Sequence, residues 1–319
     1  MGLNTVIKAI YNSHPLLKRL MASVFIFFVS KLALLQRFRL KWTLQKYYDG
    51  STDPEIIEVL TYLENNPVQM IPYEYVSHHY ARRVEIRRDE NDGYPYVKIE
   101  ANKVYFPKEM SSREIEAAVQ TAYTEQDSRS PHKYLADGFE LENEEVGVFV
   151  GASDGIFCLS VLHHFNSIYL FEADPIWQKP LELTFRNWGP KVNIIPLYVS
   201  DTDSSLTVSL DTFFANTHAD ITYIQADIEG HEKELLVGAA NLINNSHRLK
   251  ISICTYHRHN DLDDFTNILT KADMRVSCSK GYLIMWQQVP LRRPYLRRGL
   301  IYAAKSAAAV NMIGRKLYS

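Results

Sequence analysis

VGVFVGASDGIFCLSVLHHF, residues 146–165, decides the fold. Five residues, apolar but for one glycine, lead to Gly151-Ala152-Ser153-Asp154-Gly155, and an apolar run with helical spacing follows. A buried strand, a tight turn and a helix are therefore predicted. The same alternation repeats downstream. SIYLFE (167–172), VNIIPLYVS (192–200), ITYIQAD (221–227) and LKISICTYH (249–257) are near-continuous apolar runs, as in strands buried on both faces. Helical stretches lie between them: IFCLSVLHHF (156–165), HEKELLVGAANLI (231–243) and DLDDFTNILTKA (261–272). Alternating strand and helix imply a doubly wound, mostly parallel α/β sheet. RVSCSK (275–280) and YLIMWQQV (282–289), split by Gly281, are predicted to close it as an antiparallel hairpin.

Upstream, Asp53-Pro54 starts a helix over 55–65, a hairpin is expected in 90–107 around Asn91-Asp92-Gly93, and a helix runs from Ser112 to about Thr124. The expected organisation is an N-terminal helical and hairpin region (1–140), a Rossmann-like domain (141–290) and a basic tail (291–319).

Charge is distributed unevenly. Residues 1–48 carry eight Lys/Arg and no acid, residues 274–319 carry nine and no acid, and the middle is left with a net charge of −19. An acidic middle argues against nucleic acid as a partner, and the basic ends suit peripheral contact with anionic lipid. The uncharged run LMASVFIFFVS (20–30) has eleven residues, against about 20 for a membrane-spanning helix. Residues 5–47 are read as helical, with an interfacial or core-packed apolar stretch. Cys158, Cys254 and Cys278 are too widely spaced for a zinc cluster and odd in number for a disulfide framework. A reducing, cytoplasmic location follows, peripheral to the inner face of a membrane if the ends bind lipid.

In a doubly wound sheet the ligand lies at the carboxyl ends of the strands, near the first glycine-rich turn. Gly151, Ala152, Ser153, Asp154 and Gly155 are therefore the first candidate binding residues. A dinucleotide site needs G-x-G-x-x-G to bring backbone against a pyrophosphate. The G-A-S-D-G turn lacks that pattern, and Asp154 sets an anion where phosphate would sit, which disfavours an NAD-dependent oxidoreductase. A cationic or zwitterionic adenosine ligand such as S-adenosylmethionine remains. Glu172 ends the second strand, where a carboxylate would accept ribose hydroxyls, and Ser200-Asp201 closes the third run within reach of an adenine amino group. Asp227 and Glu229 end the fourth strand and His257 the fifth, so the three are candidates for catalysis, with His257 as base because its ordinary pKa is near neutrality. Asp227 also belongs to the candidate cofactor set. His257, His259 and Asp227 are weighed as holders of a divalent metal, without a tight ligand motif to support one.

After the GASDG turn, LFEADPIW, LDTFF (210–214), IQADIEGHEKELLVGA (224–239) and ICTYHRHNDL (253–262) occur in an order that resembles the FkbM-type S-adenosylmethionine-dependent methyltransferases. The resemblance covers about residues 120–287, including EQDSRSPHKY (125–134) before the first strand. It implies a seven-stranded methyltransferase sheet and O-methyl transfer to a hydroxyl of a sugar or lipid-linked glycan, or of a macrolide-like small molecule. Two positions depart from the family: Phe149 stands where an Asp is common, and Gln225 where a Lys is common. Those departures keep a non-catalytic adaptor among the readings.

Overall fold

The computed structural model describes residues 37–217, 219–288 and 292–305. The apolar run 20–30, most of the N-terminal basic stretch and residues 306–319 lie outside the described residues. The chain forms two compact units, which divide near residue 70 rather than at 140.

In the smaller unit, residues 37–47 are helical, and α1 (Pro54–Asn65) follows. Asp53 caps α1 by accepting from the Glu55 N–H at 2.8 Å, and Pro54 supplies a first-turn residue that needs no hydrogen bond. Val59 and Leu63 bury its inner face.

The larger unit begins with α2 (Tyr75–Tyr80) and a small antiparallel sheet of β1 (Ile86–Arg88), β2 (Pro95–Ile99) and β3 (Asn102–Tyr105). The hairpin read in 90–107 thus gains a third strand, and Asn91-Asp92-Gly93 turns β1 into β2. Next comes α3 (Ser112–Glu125), whose start is fixed by a capping box: Ser111 accepts from the Glu114 N–H, and Glu114 accepts from the Ser111 N–H. Ile115 and Val119 point its apolar stripe inward.

The main sheet follows as β4 (Glu145–Val150), α4 (Ile156–Val161), β5 (Phe165–Phe171), α5 (Pro175–Phe185), β6 (Val192–Ile195), β7 (Tyr198–Val199), β8 (Thr207–Val208), α6 (Leu210–Phe214), β9 (Tyr223–Ala226), α7 (Glu232–Gly238), α8 (Ala240–Asn245), β10 (Lys250–Cys254), α9 (Asp261–Lys271), β11 (Met274–Cys278) and β12 (Leu300–Lys305). Seven strands pair in the order β11-β12-β10-β9-β4-β5-β6, parallel except for β12. All residues of β9, β10 and β12 are buried, which is why they read as unbroken apolar runs. Val148, Val150, Ile224, Ile251 and Ile301 lie at the centre of the core.

Two strand readings need correction. The predicted partner of 275–280 was 282–289, but β11 pairs with β12, in the stretch read as basic tail. Among the described residues of 282–289, only Leu283 bridges to another backbone segment, opposite Arg297. The run 192–200 is also not one strand. Pro196 has no N–H to donate, and the chain leaves the main sheet at Ile195 to form a separate two-stranded pair, β7 with β8.

Candidate active site

β5 and β6 lie on one side of β4, and the chain then returns to place β9 on its other side. The crevice of a doubly wound sheet opens at this reversal. The G-A-S-D-G turn leaves β4 there. Gly151 has φ +81°, and a Cβ on it would come within 2.0 Å of the Asp227 carbonyl oxygen. Glycine is therefore required to bring the turn against the end of β9. Gly155, with φ +73°, starts α4 in the left-handed region. Asp154 accepts from the Ile156 N–H at 2.9 Å, so its carboxyl sits at the helix start. Burial pushes that carboxyl up to about 7, against the Ile156 hydrogen bond, and the neighbouring Glu125 charge adds to the rise.

Glu172 follows β5 directly. Its two carboxylate oxygens accept from the N–H groups of Ser153 (2.8 Å) and Asp174 (2.9 Å), which ties it to the turn. Ser200 and Asp201 stand after β7, not at the end of a main-sheet strand. Ser200 donates to Asp201 at 3.3 Å, and its N–H bonds the Val208 carbonyl. The structure does not bring them to the cavity described next.

A cavity of about 280 Å³ opens beside the turn, lined by Gly151 to Asp154, Phe149, Phe157, Tyr134, Gln225 and, from α3, Thr121 and Glu125. It carries two carboxyls, and none of its described lining residues is basic. Phe149 is 1% exposed and packs against Phe157, Phe165 and Tyr223.

Beside this cavity Asp227 collects hydrogen-bonding partners from two segments. His132 Nε2 lies 3.3 Å from its Oδ2, the Tyr134 hydroxyl donates to the same oxygen at 3.1 Å, and the Tyr256 hydroxyl lies 3.3 Å from both oxygens. Burial alone would raise the Asp227 pKa, but His132, His257 and Tyr134 outweigh it and hold the carboxyl down at about 2. Burial likewise opposes charge on His132, which is 0% exposed, yet Glu125 and Asp227 raise it to about 9. Among the described residues its Nδ1 has no hydrogen-bond partner, with Glu125 Oε2 3.9 Å away, and Cys254 Sγ lies 3.7 Å from its Nε2.

His257 sits three residues past β10. Its Nδ1 is 2.9 Å from Glu232 Oε1, and its Nε2 is 3.5 Å from both Asp227 Oδ1 and Glu229 Oε2. Despite its burial, these carboxylates raise its pKa, with Glu232 the largest contributor among them. Glu232 is fully buried and also accepts from the Ile228 N–H at 2.9 Å. Glu229 has φ +55° and an exposed side chain at the mouth of the site. Arg297 donates to the carbonyls of Tyr256 and His257 at 2.5 and 3.3 Å, which fixes the loop that carries the imidazole.

Asp227, Glu229 and His257 therefore meet as the sequence implied. His259 turns away to Arg297, at 2.8 Å, so the His257–His259 pair considered for a metal does not form. Two other donor sets could hold a divalent cation: His132, Asp227 and Cys254, and Asp227, Glu232 and His257. In the second, a cation would have to displace the 2.9 Å contact between His257 and Glu232. Sequence reasoning missed Tyr134, Tyr256, Glu125 and Glu232. His132 and Tyr134 in EQDSRSPHKY were its nearest signal.

This is the part of the chain that known families explain. Residues 198–283 match the model of the methyltransferase FkbM domain. That segment is similar to the methyltransferase FkbM domain. It contains β9, β10, Asp227, Glu229, Glu232 and His257, and the resemblance read from the motifs holds. Solved structures similar to this chain include the methyltransferase FkbM from Methylobacillus flagellatus KT, at 22% identity and a TM-score of 0.42. The match covers 58% of this chain and spans only about half, 54%, of that protein. A precorrin-6y C5,15-methyltransferase from Geobacter metallireducens GS-15 is 12% identical over 63% of this chain and 94% of its own, with a TM-score of 0.35. A putative methyltransferase from Streptococcus mutans, solved in complex with SAH, is 13% identical over 61% and 99%, with a TM-score of 0.34. No curated protein matches the sequence. No helix of the described residues is long and apolar enough to cross a membrane.

Proposed function

We propose that the protein is an S-adenosylmethionine-dependent methyltransferase that methylates a hydroxyl of a sugar or lipid-linked glycan. The observation that carries this reading is the Asp227–His257–Glu232 cluster inside the segment similar to the FkbM domain, directly beside the glycine turn. The cofactor fits the residues present. The cavity combines aromatic walls with two carboxyls and no described basic group, which suits a cationic ligand and disfavours a pyrophosphate. Gly151 to Gly155 and Glu172 would hold its adenosine part, with Asp154 and Asp227 toward the charged part. Bound there, S-adenosylmethionine supplies an electrophilic methyl group on a sulfonium.

The chain's own residues do the rest. Glu232 holds His257 through Nδ1 and directs Nε2 toward Asp227 and Glu229. From there Nε2 takes the proton of the acceptor hydroxyl as general base, and alignment of the hydroxyl supplies much of the remaining rate. The acid-free stretch 1–48, with eight Lys/Arg, supports an acceptor at an anionic membrane surface.

Calorimetry tests the reading. S-adenosylhomocysteine should bind the full chain more tightly than NAD. Tighter binding of NAD overturns the proposal.

A further inference from the structure

Phe149 presents an aromatic ring, not a carboxylate, near the end of the first strand, yet the cavity in front of it is not without charge. Glu125, on the last turn of α3, and Asp154, in the turn, both line it. Tyr134 and Phe157 pack with tilted rings at 4.6 Å between centroids, with Phe149 6.0 Å from Phe157, and form an apolar wall beside the acids. The acids do not neutralise each other, and no described basic residue lines the space with them. The nearest cationic partner of Glu125 is His132, at 3.9 Å, and that imidazole already serves Asp227 at 3.3 Å. Two carboxyls beside an aromatic wall form a receptor for a compact organic cation.

We propose that Glu125, with Asp154 as its neighbour in the turn, seats the α-ammonium of the amino-acid end of S-adenosylmethionine, replacing from α3 the carboxylate that Phe149 does not offer. This inference rests on the cofactor reading above. It gives α3, which precedes the methyltransferase sheet, a direct part in cofactor selection.

The test uses two ligands that differ at that end. S-adenosylhomocysteine carries the amino acid, and 5′-methylthioadenosine has lost it. Calorimetry on the full chain should show tighter binding of S-adenosylhomocysteine. Glu125→Gln should weaken that ligand about ten- to a hundredfold, the scale of a lost charge-assisted hydrogen bond. The affinity for 5′-methylthioadenosine should stay unchanged, which also shows that the variant is folded. The assignment fails if Glu125→Gln leaves S-adenosylhomocysteine binding intact, if both ligands weaken alike, or if the wild-type chain does not distinguish them. Wild-type protein that binds neither ligand removes the cofactor reading itself, and the ammonium seat with it.

Discussion

A buried imidazolium is an unusual charge to keep in a sheet protein, and His132 provides a direct measure of what it contributes. Its ring is 0% exposed, and its pKa moves from 6.5 to about 9 because Glu125 and Asp227 outweigh the burial penalty. The difference corresponds to about 3 kcal/mol between the charged and neutral forms. The folded pKa lies above the unfolded one, so this stabilisation is complete below pH 6.5 and disappears as pH rises through about 9. In a His132→Asn variant the pH-dependent contribution is absent. Urea unfolding of both chains between pH 6 and 9.5 reads it together with the change in Asp227 titration that follows the loss of His132. The stability advantage of the wild-type chain should shrink by about 3 kcal/mol across that window. A constant advantage would refute the ionised His132–Asp227 pair, and a growing one would reverse its sign.

Two further perturbations address the turn and the base. Gly151→Ala places a Cβ 2.0 Å from the Asp227 carbonyl oxygen at φ +81°, and should cost about 2–5 kcal/mol from strain and overpacking. Gly50→Ala, at φ +76° with nothing within 4 Å, should cost only about 1–2 kcal/mol, and equal losses in urea unfolding would contradict the close approach. His257→Gln should lower turnover by about 10²–10⁴-fold with little change in S-adenosylhomocysteine affinity, followed as product release with a competent acceptor. The raised His257 pKa means that the unprotonated base appears only above the ordinary value of 6.5, so the wild-type rate should climb with pH through a midpoint above it. A fully active variant removes His257 as base.

The central strands were readable because burial on both faces leaves nothing but apolar residues along β9 and β10. β12 was not, although Leu300-Ile301-Tyr302-Ala303-Ala304 is just such a run. It is flanked by Arg297, Arg298 and Lys305, and this charge made the segment read as surface tail. Yet Arg297 and Lys305 are themselves buried, with carbonyl groups as partners. The end of the third run was misplaced because Pro196 interrupts pairing without interrupting hydrophobicity.

For the site, topology alone places Asp227 and His257 at adjacent strand ends. The aromatic half of the cluster carries no such local mark. His132 and Tyr256 are 124 residues apart and meet at 2.9 Å only through the tertiary fold, and a tyrosine in an apolar run reads as packing until its hydroxyl finds Asp227. Glu232 was hidden for the opposite reason. A carboxylate in the first turn of a helix is ordinary, and only its complete burial beside His257 distinguishes it.

The position of β12 has a consequence for how the protein is made. β10 ends at Cys254, and its second neighbour begins at Leu300, with β11 held in the sheet through β12 alone. At synthesis rates of roughly 5–20 residues per second, the interval between them lasts on the order of 2–10 s. A sheet formed in that interval would present the fully buried-type strand β10 as a bare edge, the surface on which another chain can add a strand. The antiparallel entry of the late strand then closes the edge and docks β11 in one step. Arg297, just ahead of that strand, reaches the carbonyls beside His257. Assembly of the loop that carries the proposed base therefore coincides with protection of the sheet from aggregation.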